Sequence, residues 1–371
     1  MPLKVLMLAP EFYPNLGGTE IQALNLSKGL QERGARVAVL TRMREKSWLP
    51  RELVQEVAVR RVDYPRVKWL GGGLLNLRLG WEILRHYRDC DVFHFHIGES
   101  YMVLPLLVTK ALGKPSLLKI SGWWEMERGF LRASGLSNRL MRKVLFRVGT
   151  IVAVSEEIRE RVTSMGYPSQ RVLCLPNGVD TRRFAPASPS ERPPRIIFVG
   201  RLVPVKGLPV LLGAVRRLKE HFPELALDLV GAGFSEEELK QLVGELGLEA
   251  QVRFLGRIDD TEAALAAADI FVQPSLSEGL PNSLLEAMAC GLPCVVTNVG
   301  GMPQVVQDGV HGFVVEANRV EELALALERL LSDRALRLRM GQQGRAKMLR
   351  EFSLDAVAEN YLAYYRKVAR N

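Results

Sequence analysis

Short apolar segments alternate with helical stretches along the whole chain, and this alternation stops only once. Continuous apolar runs such as Lys4–Ala9 and Arg36–Leu40 predict strands buried on both faces of a parallel sheet. Helices between them, beginning with Glu20–Arg33, supply the right-handed crossovers that parallel strands require. The other predicted strands are Val57–Val62, Asp91–Ile97, Leu117–Ile120, Ile151–Val154, Arg195–Val199, Leu225–Val230, Val252–Leu255, Ile270–Gln273 and Cys294–Thr297.

The one interruption is Thr181–Pro194, a segment rich in Pro, Ser and Arg that is typical of a linker. A chain of 371 residues is long enough for two cores, one on each side of it. The sequence therefore predicts the α/β class with two Rossmann-like, doubly wound parallel-sheet domains, residues 1–185 and 186–352. The helix Ser353–Ala369 is predicted to form most of a third segment, residues 353–371. In such sheets ligands bind beyond the carboxyl ends of the strands.

Composition excludes several classes of protein. No apolar run reaches the roughly 18 residues of a membrane span, and Met1 leads directly into an apolar strand without a signal-peptide pattern. We therefore expect a cytoplasmic protein. Its few scattered cysteines are expected to be reduced and packed as small apolar residues, with no metal site: Cys90, Cys174, Cys290 and Cys294.

Positive charge is concentrated in the first half of the chain. Residues 1–190 hold 29 lysines and arginines against 17 acidic residues, a net charge of +12, whereas the remainder has a net charge of −3. A basic half favours an anionic membrane or an acidic ligand. Nucleic acid is not expected as a partner, because no nucleic-acid-binding motif accompanies the charge.

Two segments of the basic half could lie in a lipid interface. A predicted helix carries cations on one broad face, with apolar side chains beside them, and Arg66–Leu70 is a second candidate. An ordinary packed helix with a solvated face remains the alternative. The residues of the first segment are Arg128, Arg132, Leu136, Arg139, Leu140, Arg142, Lys143, Val144, Leu145 and Arg147.

Two glycine-containing turns follow predicted strands. Gly17 and Gly18 open a helix, where backbone amides can approach an anion closely beside the positive end of the helix dipole. In the second turn, Gly200 to Gly207, Arg201 and Lys206 are five residues apart and could straddle a diphosphate. Solvated surface cations are the alternative, which their position after a strand disfavours.

The segment Pro274–Glu286 is the most informative. Pro281 suits the first helical position, so Glu278 is expected in the loop and Glu286 on the helix. Two carboxylates at this spacing can accept hydrogen bonds from the hydroxyl groups of a sugar and of a ribose on either side of a diphosphate. Backbone amides of the first helical turn would point at the phosphates.

Two histidines, His94 and His96, occupy one predicted strand, and alternation places both side chains on one face. His96, at the strand end, could serve an acceptor. His94 could equally be a packed core residue.

With these motifs in place, the chain resembles retaining glycosyltransferases of family 4, which have the GT-B fold of two Rossmann-like domains facing a central cleft. The similarity covers nearly the whole length. It rests on the following segments: Gly17–Glu20, the His94/His96 strand, Val154–Glu156, Pro176–Asp180, Gly200–Arg201, Lys206–Gly207, the Glu278/Glu286 pair, Glu286–Pro293 and Gly300–Gly301.

The resemblance implies a role for each matching residue. Arg201, Lys206 and Glu278 would be catalytic: the two cations would hold the donor diphosphate and Glu278 the sugar hydroxyls. Glu286 would hold the ribose, and the Gly17 loop would reach across the cleft to the phosphates. The backbone at Ile258 would face the base, and the C-terminal helix would cross back onto the first domain. The remaining expected donor contacts are Gly18, Gly231, Gly279, Leu280, Pro281 and Asn282.

The acceptor side departs from the family pattern. Many relatives have a histidine after the strand matched by Leu117–Ile120, whereas this chain has Ser121 followed by Trp123. Serine is a poor substitute for histidine in proton chemistry. The expected acceptor-side residues are therefore His96, Ser121 and Trp123.

The expected reaction moves a hexosyl unit from a UDP- or GDP-linked sugar to a glycan, lipid-linked or small-molecule acceptor. It is expected to retain the anomeric configuration and to need neither cofactor nor metal, because cations and helix amides can stabilise the leaving diphosphate. A GT-B epimerase, a phosphorylase and a non-catalytic nucleotide-sugar-binding protein are the alternatives. A lipid-linked acceptor would suit peripheral attachment at the inner face of the plasma membrane.

Overall fold

The computed structural model describes residues 1–14, 17–67, 71–96, 102–122, 142–187, 192–258 and 260–370. The chain divides into two compact units, the first made of Met1–Gly178 with Leu354–Asn371 and the second of Val179–Ser353. The division follows Gly178, ahead of the linker expected from the sequence. The turn after it belongs to the second unit because Phe184 is buried there and its carbonyl accepts a hydrogen bond from Arg345 Nη1 at 3.0 Å.

Strands and helices alternate in both units. The strands are β1 (Lys4–Leu8), β2 (Arg36–Arg42), β3 (Arg51–Val54), β4 (Val57–Val62), β5 (Val92–His96), β6 (Ser116–Ile120), β7 (Thr150–Ala153), β8 (Val172–Cys174), β9 (Arg195–Val199), β10 (Ala226–Val230), β11 (Val252–Gly256), β12 (Ile270–Gln273), β13 (Cys294–Thr297) and β14 (Gly312–Val315). The α-helices are α1 (Gly18–Glu32), α2 (Gly71–Glu82), α3 (Val103–Ala111), α4 (Glu156–Ser164), α5 (Leu208–Leu218), α6 (Glu236–Glu245), α7 (Thr261–Ala266), α8 (Asn282–Ala289), α9 (Met302–Val305), α10 (Val320–Ser332), α11 (Arg334–Lys347) and α12 (Leu354–Ala369).

The first unit contains an eight-stranded sheet with the order β3-β4-β2-β1-β5-β6-β7-β8. Every pair is parallel except β3 and β4, which form an antiparallel hairpin at the edge. Gln55 and Glu56 form its two-residue turn, with φ of 46° and 70°, as such tight hairpin turns require. The sequence did not predict β3, because its charged residues Arg51 and Glu52 hide the apolar alternation of an edge strand.

The second unit contains a six-stranded parallel sheet with the order β11-β10-β9-β12-β13-β14. The prediction of an α/β chain with two parallel-sheet domains is confirmed. Strand β14 was not predicted. It is short and begins at Gly312, whose φ of 150° only glycine adopts easily and whose Cα lies against the backbone of Cys294.

The C-terminal helix α12 packs against α1 in the first unit. Gly29 of α1 allows the two helices to pack closely, because a Cβ at this position would lie only 2.8 Å from the Cβ of Ala358 in α12. Tyr361 and Tyr365 are completely buried between this helix and the sheet. Burial of smaller apolar side chains of α12, such as Leu362, contributes about 1.5–3 kcal/mol each.

The predicted basic helix falls largely outside the described residues. Of its members, Arg128, Arg132, Leu136, Arg139 and Leu140 lie outside them, as do Lys68, Trp69 and Leu70 of the second candidate segment. Residues 142–145 are helical, and Leu145 is buried. Arg147 lies in the turn that follows, where its amide donates to the Val144 carbonyl at 2.9 Å. The helical face therefore ends before Arg147.

No helix in the described part of the chain combines the length and the apolar character needed to cross a membrane.

Candidate functional site

The order of strands in the second unit creates one switch point, between β9 and β12. From β9 the chain winds outward through β10 and β11, and it then returns to the other side of β9 for β12, β13 and β14. The crossovers therefore diverge at this point and leave a crevice outside the carboxyl ends of β9 and β12. The loop with Arg201 and Lys206 follows β9, and the loop with Glu278 follows β12. The two most informative segments of the sequence thus meet at one place.

Lys206 and Glu278 form an ion pair at this switch point. Lys206 ends the short 3-10 turn Pro204–Lys206, and its Nζ donates to Oε1 of Glu278. Only 13% of the Lys206 side chain and 12% of the Glu278 side chain are exposed. A backbone hydrogen bond of 2.8 Å from the Leu276 amide to the Val205 carbonyl joins the two loops. The backbone therefore holds Lys206 and Glu278 close to each other.

Two buried neutral side chains hold the same carboxylate. Ser275 Oγ donates to Glu278 Oε1 at 2.9 Å, and Gln273 Nε2 donates to it at 3.0 Å. Thr297 Oγ1 in turn donates to the Ser275 carbonyl at 2.5 Å. The other carboxylate oxygen, Oε2, accepts none of these bonds. The roles of Gln273 and Ser275 were not predicted from the sequence, although a glutamine at the end of an apolar strand is a signal that could have identified Gln273.

The loop of Glu278 is held against the turn after β13. The Gly301 amide donates to the Gly279 carbonyl at 2.6 Å. Gly300 has a φ of 61°, and a Cβ on it would overlap the carbonyl oxygens of Glu278 and Gly279. Gly300 therefore combines a left-handed conformation with a close backbone approach, and both require glycine.

Arg201 is the exposed cation of the site. It follows Gly200 at the end of β9 and has no ion-pair partner among the described residues. The 3.0 Å hydrogen bond from the Leu202 amide to the Ala232 carbonyl fixes the backbone next to it. Gly231, expected at the donor, packs against Gly200 with a φ of 134° and leaves no room for a side chain.

Glu286 lies on α8, eight residues after Glu278. The helix begins at Asn282 with Pro281 as its N-cap, so Pro281 stands one position before the one expected from the sequence. Burial raises the pKa of Glu286 to about 7, and this effect outweighs the opposing influences of Arg183 and of a hydrogen bond from Thr261. Glu286 therefore exchanges its proton near neutral pH.

Other expected donor residues flank these groups. Gly279 and Leu280 are buried, and Asn282 is half-buried at the start of α8. Ile258 is half-buried and lies two residues beyond the end of β11.

In the first unit, Gly17 and Gly18 are exposed where α1 begins. Gly17 is the N-cap, and its amide donates to Glu20 Oε2 at 3.0 Å. The Glu20 carboxylate thus occupies the place at the helix N-terminus that an anion would take. Burial raises the pKa of Glu20, and the hydrogen bond from the Gly17 amide opposes this effect.

Of the expected acceptor-side residues, His96 ends β5 and Ser121 follows the neighbouring parallel strand β6, so both stand at the same edge of the sheet. His96 is completely buried: its Nε2 lies 3.4 Å from Met7 Sδ, and its ring lies 4.3 Å from that of His94. Burial lowers the pKa of His96 well below its ordinary value, and nearby Lys119 lowers it further. This placement does not support contact with an acceptor. Ser121 is half-buried after β6, and Trp123 lies outside the described residues.

His94 is the packed core residue that the sequence analysis allowed for. Its Nδ1 lies 2.6 Å from the hydroxyl of Tyr365, which α12 brings from 271 residues further along the chain. The shared face of His94 and His96 is confirmed by the stacking of their rings.

All four cysteines are free, and Cys90, Cys290 and Cys294 are buried. Within the described ranges, no group of three or more His, Cys, Asp or Glu side chains is arranged to hold a metal ion.

The packing at Gly300 gives a test of the site's construction. Gly300→Ala should destabilise the second unit by more than the roughly 1–2 kcal/mol cost of a left-handed alanine, because it also displaces the Glu278 loop. Gly309→Ala is the matched control, since Gly309 has a φ of 72° and nothing within 4 Å of an added Cβ. Urea unfolding of both variants measures the difference. Equal destabilisation would show that the Glu278 loop does not depend on Gly300.

Two family models together match most of the chain. The model of glycosyl transferases group 1 matches residues 180–347, which hold every charged residue of the switch-point site. The model of Glycosyltransferase Family 4 matches residues 16–183.

Individual proteins show the same similarity. The lipopolysaccharide core biosynthesis glycosyltransferase LpsE of Rhizobium meliloti is 33% identical over 242 residues, which are 63% of this chain and 69% of that protein. The N-acetyl-alpha-D-glucosaminyl L-malate synthase of Bacillus anthracis is 25% identical over 374 residues, covering 97% of this chain and 96% of that protein.

Solved structures share the fold. The crystal structure of Anabaena HepE in complex with UDP-glucose superimposes with a TM-score of 0.80 at 21% identity, over 98% of this chain and all of that one. The chain therefore belongs to the family 4 glycosyltransferases, within the group 1 glycosyl transferases, and has their two-domain GT-B fold.

Proposed function

We propose that this enzyme transfers a hexosyl unit from a nucleoside-diphosphate sugar to an acceptor, with retention of configuration and without a metal ion. The observation that supports this best is the pairing of Lys206 with Glu278 beside the exposed Arg201 at the switch point of the second sheet. Arg201 is exposed and can bind a diphosphate, and Lys206 can turn from Glu278 to the same diphosphate. The Glu278 carboxylate can then bind the sugar. The names of relatives agree with such a donor: HepE was crystallised with UDP-glucose.

Binding of the diphosphate would exchange partners around Lys206. Arg201 offers a planar fork of donors to one phosphate, and Lys206 offers a point charge to the other. When Lys206 turns toward the phosphates, Glu278 keeps the hydrogen bonds from Gln273 and Ser275. The carboxylate is therefore not left buried without a partner, which would otherwise be costly.

The free oxygen of Glu278 would then orient the sugar. Oε2 accepts none of the three bonds that hold Oε1, so it can accept a hydrogen bond from a sugar hydroxyl. The anomeric carbon is thereby held beside the cations. Negative charge grows on the leaving phosphate during transfer, and Arg201 and Lys206 would stabilise it where it forms.

Retention is proposed to follow from attack on the face that the phosphate leaves. In this ion-pair-like reaction the bond from the anomeric carbon to the phosphate oxygen breaks, and the acceptor oxygen bonds to the same face of that carbon. The departing phosphate takes the acceptor proton, so no histidine base is required. The burial of His96 is compatible with this route.

The acceptor is proposed to be a glycan or a lipid-linked saccharide. The first half of the chain has a net charge of +12, which would favour peripheral attachment to the cytoplasmic face of an anionic membrane. LpsE, which acts in lipopolysaccharide core biosynthesis, supports an acceptor of this kind. A soluble small molecule is the alternative acceptor.

The donor site is tested by three substitutions. Arg201→Ala, Lys206→Ala and Glu278→Ala should each lower transfer about 10²–10³-fold, because each removes a group that acts on the developing charge or on the sugar. Release of nucleotide from UDP-, GDP- and ADP-sugars, with and without saccharide acceptors, measures the effect. Arg217→Ala is the control, since Arg217 is an exposed arginine of α5 paired with Glu321. Near-normal turnover in all three site variants would reject the proposed site.

The same assay tests the mechanism. Transfer should continue after complete chelation with EDTA, and NMR should show a product with the anomeric configuration of the donor. Loss of activity that magnesium or manganese restores would reject metal independence. An inverted product would reject same-face attack.

The raised pKa of Glu286 leads us to expect that nucleotide binding depends on pH. Its ionised form accepts hydrogen bonds from both ribose hydroxyls, whereas the protonated form has less acceptor capacity. Affinity for the nucleoside diphosphate should therefore rise as pH increases from about 6 to 8 through the pKa of about 7. Isothermal titration calorimetry of the wild type and Glu286→Gln measures this. The variant should bind more weakly at pH 8 with a flatter profile, and an unchanged profile would remove Glu286 from the ribose site.

A further inference from the structure

Helix α2 presents an apolar row to solvent. Leu77, Trp81 and Leu84 follow one another at spacings of four and three residues along α2 and the π-helical turn Ile83–Tyr87 that continues it. Their exposed fractions are 59%, 59% and 41%. The opposite side of the same helix is buried through Leu75, Leu79 and Ile83. The helix therefore has two apolar faces: one packs in the core, and the other is exposed to solvent.

Three exposed arginines lie on the same side of the helix as Trp81. Arg78, Arg85 and Arg88 are three residues before it, four after it and seven after it, which are the spacings of helical neighbours. The Arg78 guanidinium donates to the Asp63 carbonyl, and neither Arg85 nor Arg88 has an ion-pair partner among the described residues. The positive charges of Arg85 and Arg88 are therefore available to an anionic group outside this chain.

The acidic residues of this segment are engaged elsewhere. Glu82 pairs with Arg60 at 2.5 Å, and its side chain is only 18% exposed. Asp89 pairs with Lys4, and Asp91 accepts the Lys4 amide at 2.8 Å. The face formed by Leu77, Arg78, Trp81, Leu84, Arg85 and Arg88, the α2 face, is therefore positive as well as apolar.

We infer that the α2 face attaches the protein to the surface of an anionic lipid bilayer. A helix face on which a tryptophan and two leucines are interspersed with arginines fits the boundary between headgroups and acyl chains, where apolar side chains enter and long arginine side chains extend to lipid phosphates. A symmetric contact between two copies would place this positive face against an identical positive face. The inference rests on the proposed membrane attachment and locates it.

The α2 face is separate from the basic segment predicted around Arg139. Of the second segment noted in the sequence, Arg66 and Val67 are described by the structure, and Val67 is 53% exposed.

Cosedimentation of the full chain with vesicles tests the inference. Binding is expected to vesicles containing phosphatidylglycerol at low salt, to weaken as salt rises, and to be lost with phosphatidylcholine alone. Arg85→Gln and Arg88→Gln should each weaken binding about fivefold, corresponding to ~1 kcal/mol for each basic residue near the surface. Trp81→Ala should weaken it at least as much. Arg216→Gln and Leu325→Ala change an exposed arginine and an exposed leucine of the second unit and should bind normally.

Other outcomes would overturn the inference. Normal vesicle binding by Arg85→Gln, Arg88→Gln and Trp81→Ala would overturn it. A loss of binding only in Arg142→Gln and Lys143→Gln would also overturn it, because it would place the membrane-binding surface on the other basic segment. Dissociation of a dimer by Trp81→Ala, without vesicle binding by the wild type, would show that the face joins two copies. Turnover of the sugar nucleotide with a soluble acceptor should be the same in all α2 variants. A failure of the proposed transfer reaction would appear there and not in the vesicle assay.

Discussion

The buried ion pair between Lys206 and Glu278 is the interaction on which the second unit's site depends. Taking two charges out of water is expensive, and such a pair is stable only when further hydrogen bonds satisfy it. Gln273 and Ser275 supply those bonds, and Thr297 holds the backbone from which Ser275 projects. In the proposed function, the same hydrogen bonds would hold the carboxylate when Lys206 turns to the diphosphate. Such an arrangement would suit the proposed binding of a diphosphate.

The two units use their polar residues differently. At the switch point of the second unit, charged groups lie at the edge of a crevice, and Arg201 is exposed to solvent. In the first unit, the side chains of His94, His96 and Lys119 from the sheet and of Tyr361 and Tyr365 from α12 are buried. Burial lowers the pKa of both histidines well below the ordinary value, so they are neutral at physiological pH and belong to the core. This placement agrees with the proposal that the cations and the carboxylate of the second unit, together with the leaving phosphate, carry out the transfer.

Much of the fold and part of the site could be predicted because the patterns involved are local. Apolar runs between helices indicate parallel strands, and glycines with charged residues after a strand indicate its carboxyl end. Local pattern did not reveal that His96 is completely buried, because its burial depends on side chains of other elements, such as Met7 of β1. Local pattern also did not reveal that Gln273 donates a hydrogen bond to Glu278. The role of a glutamine side chain in a buried strand cannot be predicted until its hydrogen-bond partner is known.

The sequence by itself determined the alternating α/β pattern, two sheets, and the placing of Arg201, Lys206, Glu278 and Glu286 beyond the ends of strands or on the helix that follows. Only the tertiary structure decided which of these residues meet. Lys206 and Glu278 are 72 residues apart and are paired because β12 returns to lie beside β9. The pKa of Glu286 near 7 and the exposure of Trp81 likewise arise from what packs, or does not pack, around each side chain. Strand order and burial are set by long-range packing of the whole core, which the local pattern of residues does not encode.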